Sequence, residues 1–187
     1  MEEEGWDIRP YQELDELDVV GVWHRAGIAA YSYLPTWQAF TLEQAREVFR
    51  KVILPGGAIW VGTVEARIVS FLALKGSYLD RLYVAPSEWR QGWGTRLVNH
   101  AKRLSPGGLE LHTHIENHVA RALYERHGFR AVKFGMSPPP ESAPDVEYHW
   151  RPEGGATPGL PSRQTRCSGG VQAAGATGFP VRHSARR

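Results

Sequence analysis

Apolar and polar residues alternate along the first 150 residues with the two periods that distinguish strands from helices. Runs of strand-forming residues predict strands at residues 6–9, 58–64, 68–74, 78–84, 109–114, 129–134 and 146–150. Apolar positions three and four residues apart predict helices at residues 12–29, 42–52, 94–104 and 117–127. The pattern therefore predicts one sheet with helices packed against it.

Several of these helices carry local start and stop signals. Thr41 followed by Gln44 forms a capping-box pattern, and Pro55 to Gly57 is expected to end the helix that begins there. The predicted buried positions are Leu14, Leu17 and Val20 in the first helix, and Leu97, Val98, Ala101 and Leu104 in the third.

The order of the elements predicts the topology of the sheet. Residues 58–64 and 68–74 are close enough to pair as an antiparallel hairpin around Glu65 to Arg67. From residue 78 onward strands and helices alternate, which implies at least two parallel strands in the middle of the sheet. The predicted fold class is therefore mixed α/β (α+β) around one sheet.

Length and charge set limits on the organisation. A chain of 187 residues suits one domain, predicted at residues 1–152, and a Gly-, Ala- and Arg-rich tail at 153–187 is expected to be disordered. Residues 151–187 hold six arginines and one glutamate, so the part before them carries −3 of the total charge of +2. This balance disfavours nucleic acid as a partner, although the tail remains an alternative contact for an anionic one.

Composition also narrows the location and the chemistry. The single cysteine, Cys167, excludes a disulfide framework and a cysteine-based zinc site. No run approaches the roughly 18 apolar residues of a membrane span. The acidic start at residues 1–4 is unlike a targeting peptide, so a cytoplasmic protein is expected.

A glycine-containing loop between a strand and a helix is the first candidate site. Residues 89–95 follow a predicted strand and open a predicted helix, where backbone N–H groups and the positive helix end can bind a phosphate. The loop lacks the Gly-Lys-Ser/Thr of a Walker motif and the third glycine of a dinucleotide motif. Taken alone, the glycines are explained equally well by the geometry of the turn.

A second segment makes the pattern specific. Residues 117–129 begin with Asn117, place Ala120 and Tyr124 on one helix face, and end with Gly128-Phe129. Together with the Val84-Ala85-Pro86 strand end and the glycine loop, this segment resembles the signature of the GNAT acetyltransferase superfamily. The resemblance covers most of residues 6–150. One departure is Trp89, which occupies the position where the family carries Arg or Gln.

The resemblance implies a fold and an activity. The expected fold is a mixed, mostly antiparallel sheet of six to seven strands flanked by about four helices. The expected reaction transfers an acetyl group from acetyl-CoA to a primary amine of a small molecule or peptide, by direct attack in a ternary complex. The alternative is a non-catalytic acyl-CoA-binding sensor or interaction module.

The resemblance also implies which residues form the site. Tyr124 is expected to protonate the departing thiolate, and Asn117 to contact the coenzyme arm; their alternative roles are a core aromatic residue and a helix N-cap. The expected coenzyme-binding residues are Leu82, Tyr83, Val84, Trp89, Arg90, Gln91, Gly92, Trp93, Gly94, Thr95 and Asn117.

The proton acceptor is less clearly indicated. The strand at residues 109–114 places Glu110, His112 and His114 on one face, and His112 has a side chain suited to accepting a proton near neutral pH. Asp80 and Tyr78 are further candidates, an ordered water is another, and a structural histidine is an equally good explanation of His112. No metal site is expected, because the domain lacks cysteine and an organising acidic motif.

The acceptor pocket is expected at residues 29–40 and at the loop 136–144. The first segment holds Tyr31, Tyr33, Trp37 and Phe40, which either bind an apolar or planar part of the acceptor or pack the first helices together. The acceptor itself is not identified, and a homodimer is left open.

Overall fold

The computed structural model describes residues 5–152. The predicted tail at residues 153–187 lies outside the described residues, so its expected disorder stays a prediction. The elements below are numbered in chain order.

One seven-stranded sheet forms the centre of the molecule, with the order β1-β2-β3-β4-β5-β7-β6. The strands are β1 (Trp6–Pro10), β2 (Ala58–Val64), β3 (Arg67–Lys75), β4 (Tyr78–Val84), β5 (Leu109–His114), β6 (Arg130–Met136) and β7 (Pro144–Trp150). Neighbouring strands are antiparallel except β4 and β5, which run parallel. The predicted parallel pair and the predicted hairpin of β2 with β3 are both confirmed.

Helices cover both faces of the sheet. They are α1 (Glu16–Ala30), α2 (Pro35–Gln38), α3 (Leu42–Val48), α4 (Leu54–Gly56), α5 (Trp93–Leu104) and α6 (His118–Arg126). A π-helical segment, Phe49–Ile53, joins α3 to α4, so these three form one continuous helical stretch. The expected helices are therefore present, and the short α2 is an addition that the sequence pattern did not predict.

Two apolar cores lie on opposite faces of the sheet. The first packs residues of α1, α2 and α3 against β2, β3 and β4, with Trp23, Trp37 and Phe71 among its largest buried side chains. The second packs α5 and α6 against β5 and β7, and it contains Leu97, Leu111 and Tyr124. The site described below lies where these two cores meet along β4 and β5.

Two of the three positions predicted to be buried in the first helix are exposed, whereas the third, Val20, is buried as predicted. Leu14 is 93% exposed and Leu17 is 64% exposed. Asp15 accepts hydrogen bonds from Arg9 and from the backbone N–H of Gln12, which holds a 3-10 turn before α1 and starts the helix four residues later than expected. The face that packs on the sheet consists of Val19, Val20, Val22, Trp23 and Ala26.

Smaller corrections concern helix ends. Leu104, predicted to point inward, is the last residue of α5 and is 40% exposed, because the helix end extends past the core. The capping box is confirmed, since the Thr41 hydroxyl accepts from the Gln44 N–H and the Gln44 side chain accepts from the Thr41 N–H. Helical structure then ends at Gly56, as predicted from residues 55–57.

Candidate active site

The central strands β4 and β5 pair at one position only, with Tyr78 opposite Glu110. A second hydrogen bond at the same end runs from the Glu110 N–H to the Ser77 carbonyl, 3.0 Å away. Beyond this end the two parallel strands share no further ladder positions in the described structure, so the backbone of Leu82 to Val84 faces an opening rather than a neighbouring strand. An extended ligand arm can hydrogen bond to this backbone as a strand would.

The loop after β4 leads directly into the first turn of α5. Gly92 is the residue before the helix and adopts a φ of +84°, and no side chain caps the helix start. The N–H groups of this first turn therefore remain available for an anion. Arg90, in the same loop, also has a positive φ, +66°, and its side chain is exposed.

A glycine in β2 holds this helix start against the sheet. The buried indole of Trp93 lies over Gly62, where an added Cβ would meet the Trp93 ring at 2.5 Å and the Ser70 hydroxyl still closer. Only a residue without a side chain leaves room for the indole. The position of the first turn of α5, the predicted phosphate site, therefore depends on Gly62, a residue in a distant strand that the sequence pattern did not single out.

Trp89 lies across the end of β4. Its indole Nε1 donates a hydrogen bond of 2.7 Å to the carbonyl of Val84, while the side chain remains exposed. Gln91 donates to the Ser87 carbonyl at 3.4 Å, so it also stabilises the loop. The residue that replaces the usual Arg or Gln thus occupies one of the backbone acceptors predicted to bind the coenzyme arm.

Tyr124 lies on the buried face of α6. Its ring packs 5.5 Å from that of Phe129 and 6.3 Å from that of Tyr148, and it belongs to the second core. Burial raises the pKa of the Tyr124 hydroxyl above its usual value, and the nearby hydroxyls of Tyr31 and Tyr78 raise it further. Tyr124 therefore keeps its proton at neutral pH, as a proton donor must.

Asn117 both caps α6 and reaches the opposite face of the site. Its Oδ1 accepts from the Ala120 N–H at 3.2 Å, so the N-cap alternative is correct. Its Nδ2 donates to the Tyr31 hydroxyl at 3.4 Å. Burial raises the pKa of Tyr31, and hydrogen bonds with Asn117 and Tyr83 partly offset the rise. Asn117 thus connects the predicted coenzyme residues to the aromatic segment after α1.

A buried polar network fills the region that the sequence assigned to the acceptor. Nδ1 of His114 lies 3.3 Å from the Tyr33 hydroxyl, and its Nε2 lies 3.1 Å from Oε2 of Glu141. Trp37 Nε1 donates to Oε1 of the same carboxylate at 2.8 Å. Trp37 and Phe40 are buried and pack edge to face in the first core, so the packing alternative is correct for these two residues, whereas Tyr33 is 41% exposed.

The sequence analysis missed Glu141. It comes from the Pro-rich loop between β6 and β7, which was considered only as a whole segment. The sequence feature that could have identified Glu141 is an acidic residue among prolines and small residues, in a loop predicted to line the acceptor pocket. His114 was placed on the polar face of β5 with Glu110 and His112, but unlike them it is almost completely buried, with 1% exposure.

The predicted proton acceptors, His112, Tyr78 and Asp80, have partners outside this network. Nδ1 of His112 lies 3.1 Å from the Tyr78 hydroxyl, and its Nε2 lies 3.7 Å from Glu147. Asp80 pairs with the adjacent Arg81 at 3.2 Å and lines a small cavity of about 50 Å³ beside Gly56 and Lys75. The structure thus brings Asn117 and the aromatic segment together, while Asp80 lies nearer the beginning of β4.

The described part of the chain has neither a cluster of metal-ligating side chains nor a membrane-spanning helix. Residues 5–152 contain no group of three or more His, Cys, Asp or Glu side chains arranged to hold a metal ion. In the same residues no helix combines the length and the apolar character needed to cross a membrane.

Comparisons with known proteins identify the family. Residues 13–129 match the model of the acetyltransferase (GNAT) family. The chain is 31% identical over 127 residues to the peptidyl-lysine N-acetyltransferase YjaB of Salmonella typhimurium, which covers 67% of this chain and 84% of the relative.

Solved structures have the same fold. The solution structure of apo-form YjaB from Escherichia coli matches with a TM-score of 0.65 at 23% identity, covering 77% of this chain and 96% of that one. Spermidine N-acetyltransferase from Vibrio cholerae, solved with CoA and spermine, matches with a TM-score of 0.60 at 16% identity and covers 80% and 96%.

The chain therefore belongs to the GNAT acetyltransferase family. It is an N-acetyltransferase that takes the acetyl group from acetyl-CoA, as the sequence motifs predicted. The family membership favours the enzyme over the non-catalytic acyl-CoA-binding module.

Proposed function

We propose that this enzyme transfers an acetyl group from acetyl-CoA to the primary amine of a lysine side chain in a peptide or protein, by direct attack in a ternary complex. One observation carries the proposal. The strands β4 and β5 separate beyond Tyr78; Leu82 and Val84 of β4 pack against the core that holds Tyr124; and Asn117 hydrogen bonds to Tyr31, whose ring packs against the polar network that includes the exposed Tyr33. The 31% identity to a peptidyl-lysine N-acetyltransferase supports lysine as the acceptor.

The residues around the opening fit a coenzyme with a pyrophosphate and an extended arm. The uncapped first turn of α5, from Trp93 to Thr95, offers N–H groups to the phosphates, and the exposed Arg90 adds positive charge. The free edge of β4, from Leu82 to Val84, offers backbone groups to the arm. Trp89 must release the Val84 carbonyl if the arm is to use it.

Tyr124 is proposed as the proton donor to the departing thiolate. Its raised pKa keeps the hydroxyl protonated, and it belongs to the core against which Leu82 and Val84 of β4 pack, which supports this role. Asn117 holds α6 and Tyr31 at a fixed distance from one another, so it is proposed to align the two halves of the site. His112 and Asp80 stay predicted proton acceptors.

The proposal is tested by supplying acetyl-CoA with lysine-containing peptides, the same peptides with acetylated lysines, and spermine, while thiol release is followed. Turnover with the unmodified peptides alone is expected. Turnover with spermine but not with peptides would replace lysine by a small polyamine as the acceptor. Tight acetyl-CoA binding without thiol release in the presence of any amine would contradict the catalytic proposal.

Two properties complete the proposal. We propose a cytoplasmic location, because the enzyme takes its acetyl group from acetyl-CoA. Size-exclusion chromatography with light scattering of the full chain tests for a homodimer.

A further inference from the structure

His114 and Glu141 form a pair of ionisable side chains inside the protein. His114 is 1% exposed and Glu141 is 8% exposed, and 3.1 Å separates Nε2 of the first from Oε2 of the second. Burying such a pair costs more free energy than burying apolar residues of the same volume. This cost suggests a functional role for the pair, and the other hydrogen-bond partners of the two side chains indicate that role.

The hydrogen bonds around the pair define the direction in which a proton can move. Trp37 donates to one carboxylate oxygen of Glu141, and the other oxygen faces Nε2 of His114. An ionised carboxylate only accepts hydrogen bonds, so Nε2 carries the ring proton and Nδ1 is left as an acceptor. The Tyr33 hydroxyl, 3.3 Å from Nδ1, then donates to it.

Tyr33 is the residue of this hydrogen-bond network that a substrate can reach. It is 41% exposed, whereas His114, Glu141 and Trp37 are buried. The ring of Tyr31 packs 5.2 Å from that of His114 and 6.3 Å from that of Tyr33, and the Tyr31 hydroxyl accepts from Asn117. Because Asn117 caps α6, the helix that carries the proposed proton donor Tyr124, the network lies against the start of that helix.

We propose that Tyr33, His114 and Glu141 form a proton relay that removes a proton from the acceptor ammonium group, with the Tyr33 hydroxyl in contact with the amine. This inference rests on the proposed function. Tyr33 Oη accepts a proton from the ammonium as its own proton passes to Nδ1 of His114, and Glu141 stabilises the imidazolium. The neutral amine can then attack, because its nitrogen lone pair is free.

The protons balance over the complete reaction. The amine nitrogen forms a bond to the acetyl carbon, the carbon–sulfur bond breaks, and Tyr124 gives its proton to the sulfur. The second proton of the nitrogen passes to solvent, from which Tyr124 regains its own. The proton held by His114 leaves through Tyr33, so one turnover releases one proton overall.

Other ionisable groups also face His114. Asp145 of β7 is its register partner across the sheet, and Tyr31 and Tyr33 approach from the segment after α1. Glu141 approaches from the loop between β6 and β7, and Glu116 follows on the chain after β5. Of these groups, Glu141 places its carboxylate within hydrogen-bond distance of Nε2, so it is the charge on which the relay depends.

The test compares pH profiles of kcat/KM for a lysine peptide in the parent enzyme and in Tyr33→Phe. The relay predicts that kcat/KM of Tyr33→Phe is about 100-fold below that of the parent at pH 7, the usual scale for general base catalysis. The loss should shrink as the pH rises towards the pKa of the substrate amine, because neutral amine then forms without help. Tyr11→Phe, which removes a hydroxyl near the far end of α1, serves as the matched control.

Glu141→Gln is a second variant that tests the relay. The amide oxygen can still accept from Trp37, so the packing is preserved while the charge that stabilises the imidazolium is removed. A loss that depends on pH in the same way as in Tyr33→Phe supports the relay. A loss of equal size at every pH would overturn it, and so would a profile that responds to His112→Gln and not to Tyr33→Phe.

One readout is independent of turnover. In the ¹⁵N NMR spectrum of the imidazoles, the neutral His114 ring is expected to carry its proton on Nε2, and Tyr33→Phe is expected to shift the Nδ1 resonance alone. A proton on Nδ1 would overturn the relay even in an active enzyme. If the spectrum is as expected but the parent acetylates no amine, the proposed function fails while the hydrogen-bond arrangement of the relay stands.

Discussion

The two sides of the candidate site are built in different ways. On the proposed coenzyme side the groups offered to the ligand are backbone atoms, namely the free edge of β4 and the first turn of α5, and Gly62 and Gly92 shape the space around them. On the acceptor side the groups are side chains, fixed by hydrogen bonds between Tyr33, His114, Glu141 and Trp37. The first side should tolerate changed side chains and the second should not.

Trp89 illustrates this tolerance. It occupies the position where the family carries Arg or Gln, yet the loop still forms, with Gly92 before the helix and no side chain capping it. The acceptor side depends instead on a chain of contacts in which Gly27 leaves space for Trp37 and Trp37 holds Glu141. Substitutions on each side should therefore affect different kinetic constants.

The largest effect is expected for Tyr124→Phe. Removing the proposed proton donor should lower kcat by about 100- to 1000-fold, while the Kd for acetyl-CoA stays unchanged. Steady-state kinetics and calorimetry measure the two quantities. Tyr148→Phe, which removes the neighbouring hydroxyl bonded to Glu125 and Arg121, should retain most of the turnover. Equal losses in both variants would mean that packing, not proton donation, explains Tyr124.

Gly62→Ala should disrupt the coenzyme side. The added methyl group overlaps the Trp93 indole and the Ser70 hydroxyl, so the first turn of α5 must shift. We expect acetyl-CoA binding to weaken by about 10-fold or more, together with a loss of about 1–3 kcal/mol in the free energy of unfolding from overpacking.

The matched control for this change is Gly56→Ala, since nothing lies within 4 Å of a Cβ added there. Calorimetric titration with acetyl-CoA and urea unfolding distinguish the two variants. Unchanged coenzyme affinity in Gly62→Ala would show that the helix start is not held by this contact.

Gly27→Ala should disrupt the acceptor side instead. A methyl group at this position of α1 overlaps the Trp37 ring, which must move away from Glu141. The expected result is an approximately 10-fold loss in kcat/KM for the amine, the scale of one lost hydrogen bond to a charged group, with little change in the Kd for acetyl-CoA.

Gly21→Ala in the same helix is the control, because its Cβ meets only the flexible end of Arg25. Amine saturation curves at a fixed, saturating acetyl-CoA concentration measure the effect. A weakened acetyl-CoA affinity in Gly27→Ala would mean that the two sides of the site are not independent.

The smallest effect is expected for Trp89→Arg. The change frees the Val84 carbonyl from the indole and restores the side chain usual at this position, so acetyl-CoA should bind about 3- to 10-fold more tightly, the value of one hydrogen bond. Trp6→Phe, at another exposed tryptophan, is the control. Unchanged or weaker binding in Trp89→Arg would contradict the assignment of the loop.

The sequence predicted the elements of the proposed coenzyme side well because their signals are local. A strand, a glycine loop and a helix within residues 78–104 can each be read from a few neighbouring residues, and the capping role of Asn117 was also predicted as an alternative. The predicted contacts of these residues with acetyl-CoA remain untested. The seven strands and the parallel pair followed from the same short-range patterns.

The acceptor side could not be predicted in the same way, because its contacts join distant parts of the chain. Glu141 meets His114 across 27 residues and Trp37 across 104, and neither spacing leaves a periodic signal. The exposed leucines of the first helix have a different, local origin, since the ion pair between Arg9 and Asp15, six residues apart, delays the helix start. The helical spacing of the apolar residues alone predicted that Leu14 and Leu17 are buried.

The single pairing position between β4 and β5 also has a consequence for the lifetime of the protein. Two parts of the sheet are joined at this seam by few backbone hydrogen bonds, so local opening should begin there. A ligand that binds in the seam and only to the folded chain stabilises it by mass action. Resistance to proteolysis should therefore rise with the concentration of acetyl-CoA, which couples the abundance of the enzyme to the supply of its own substrate.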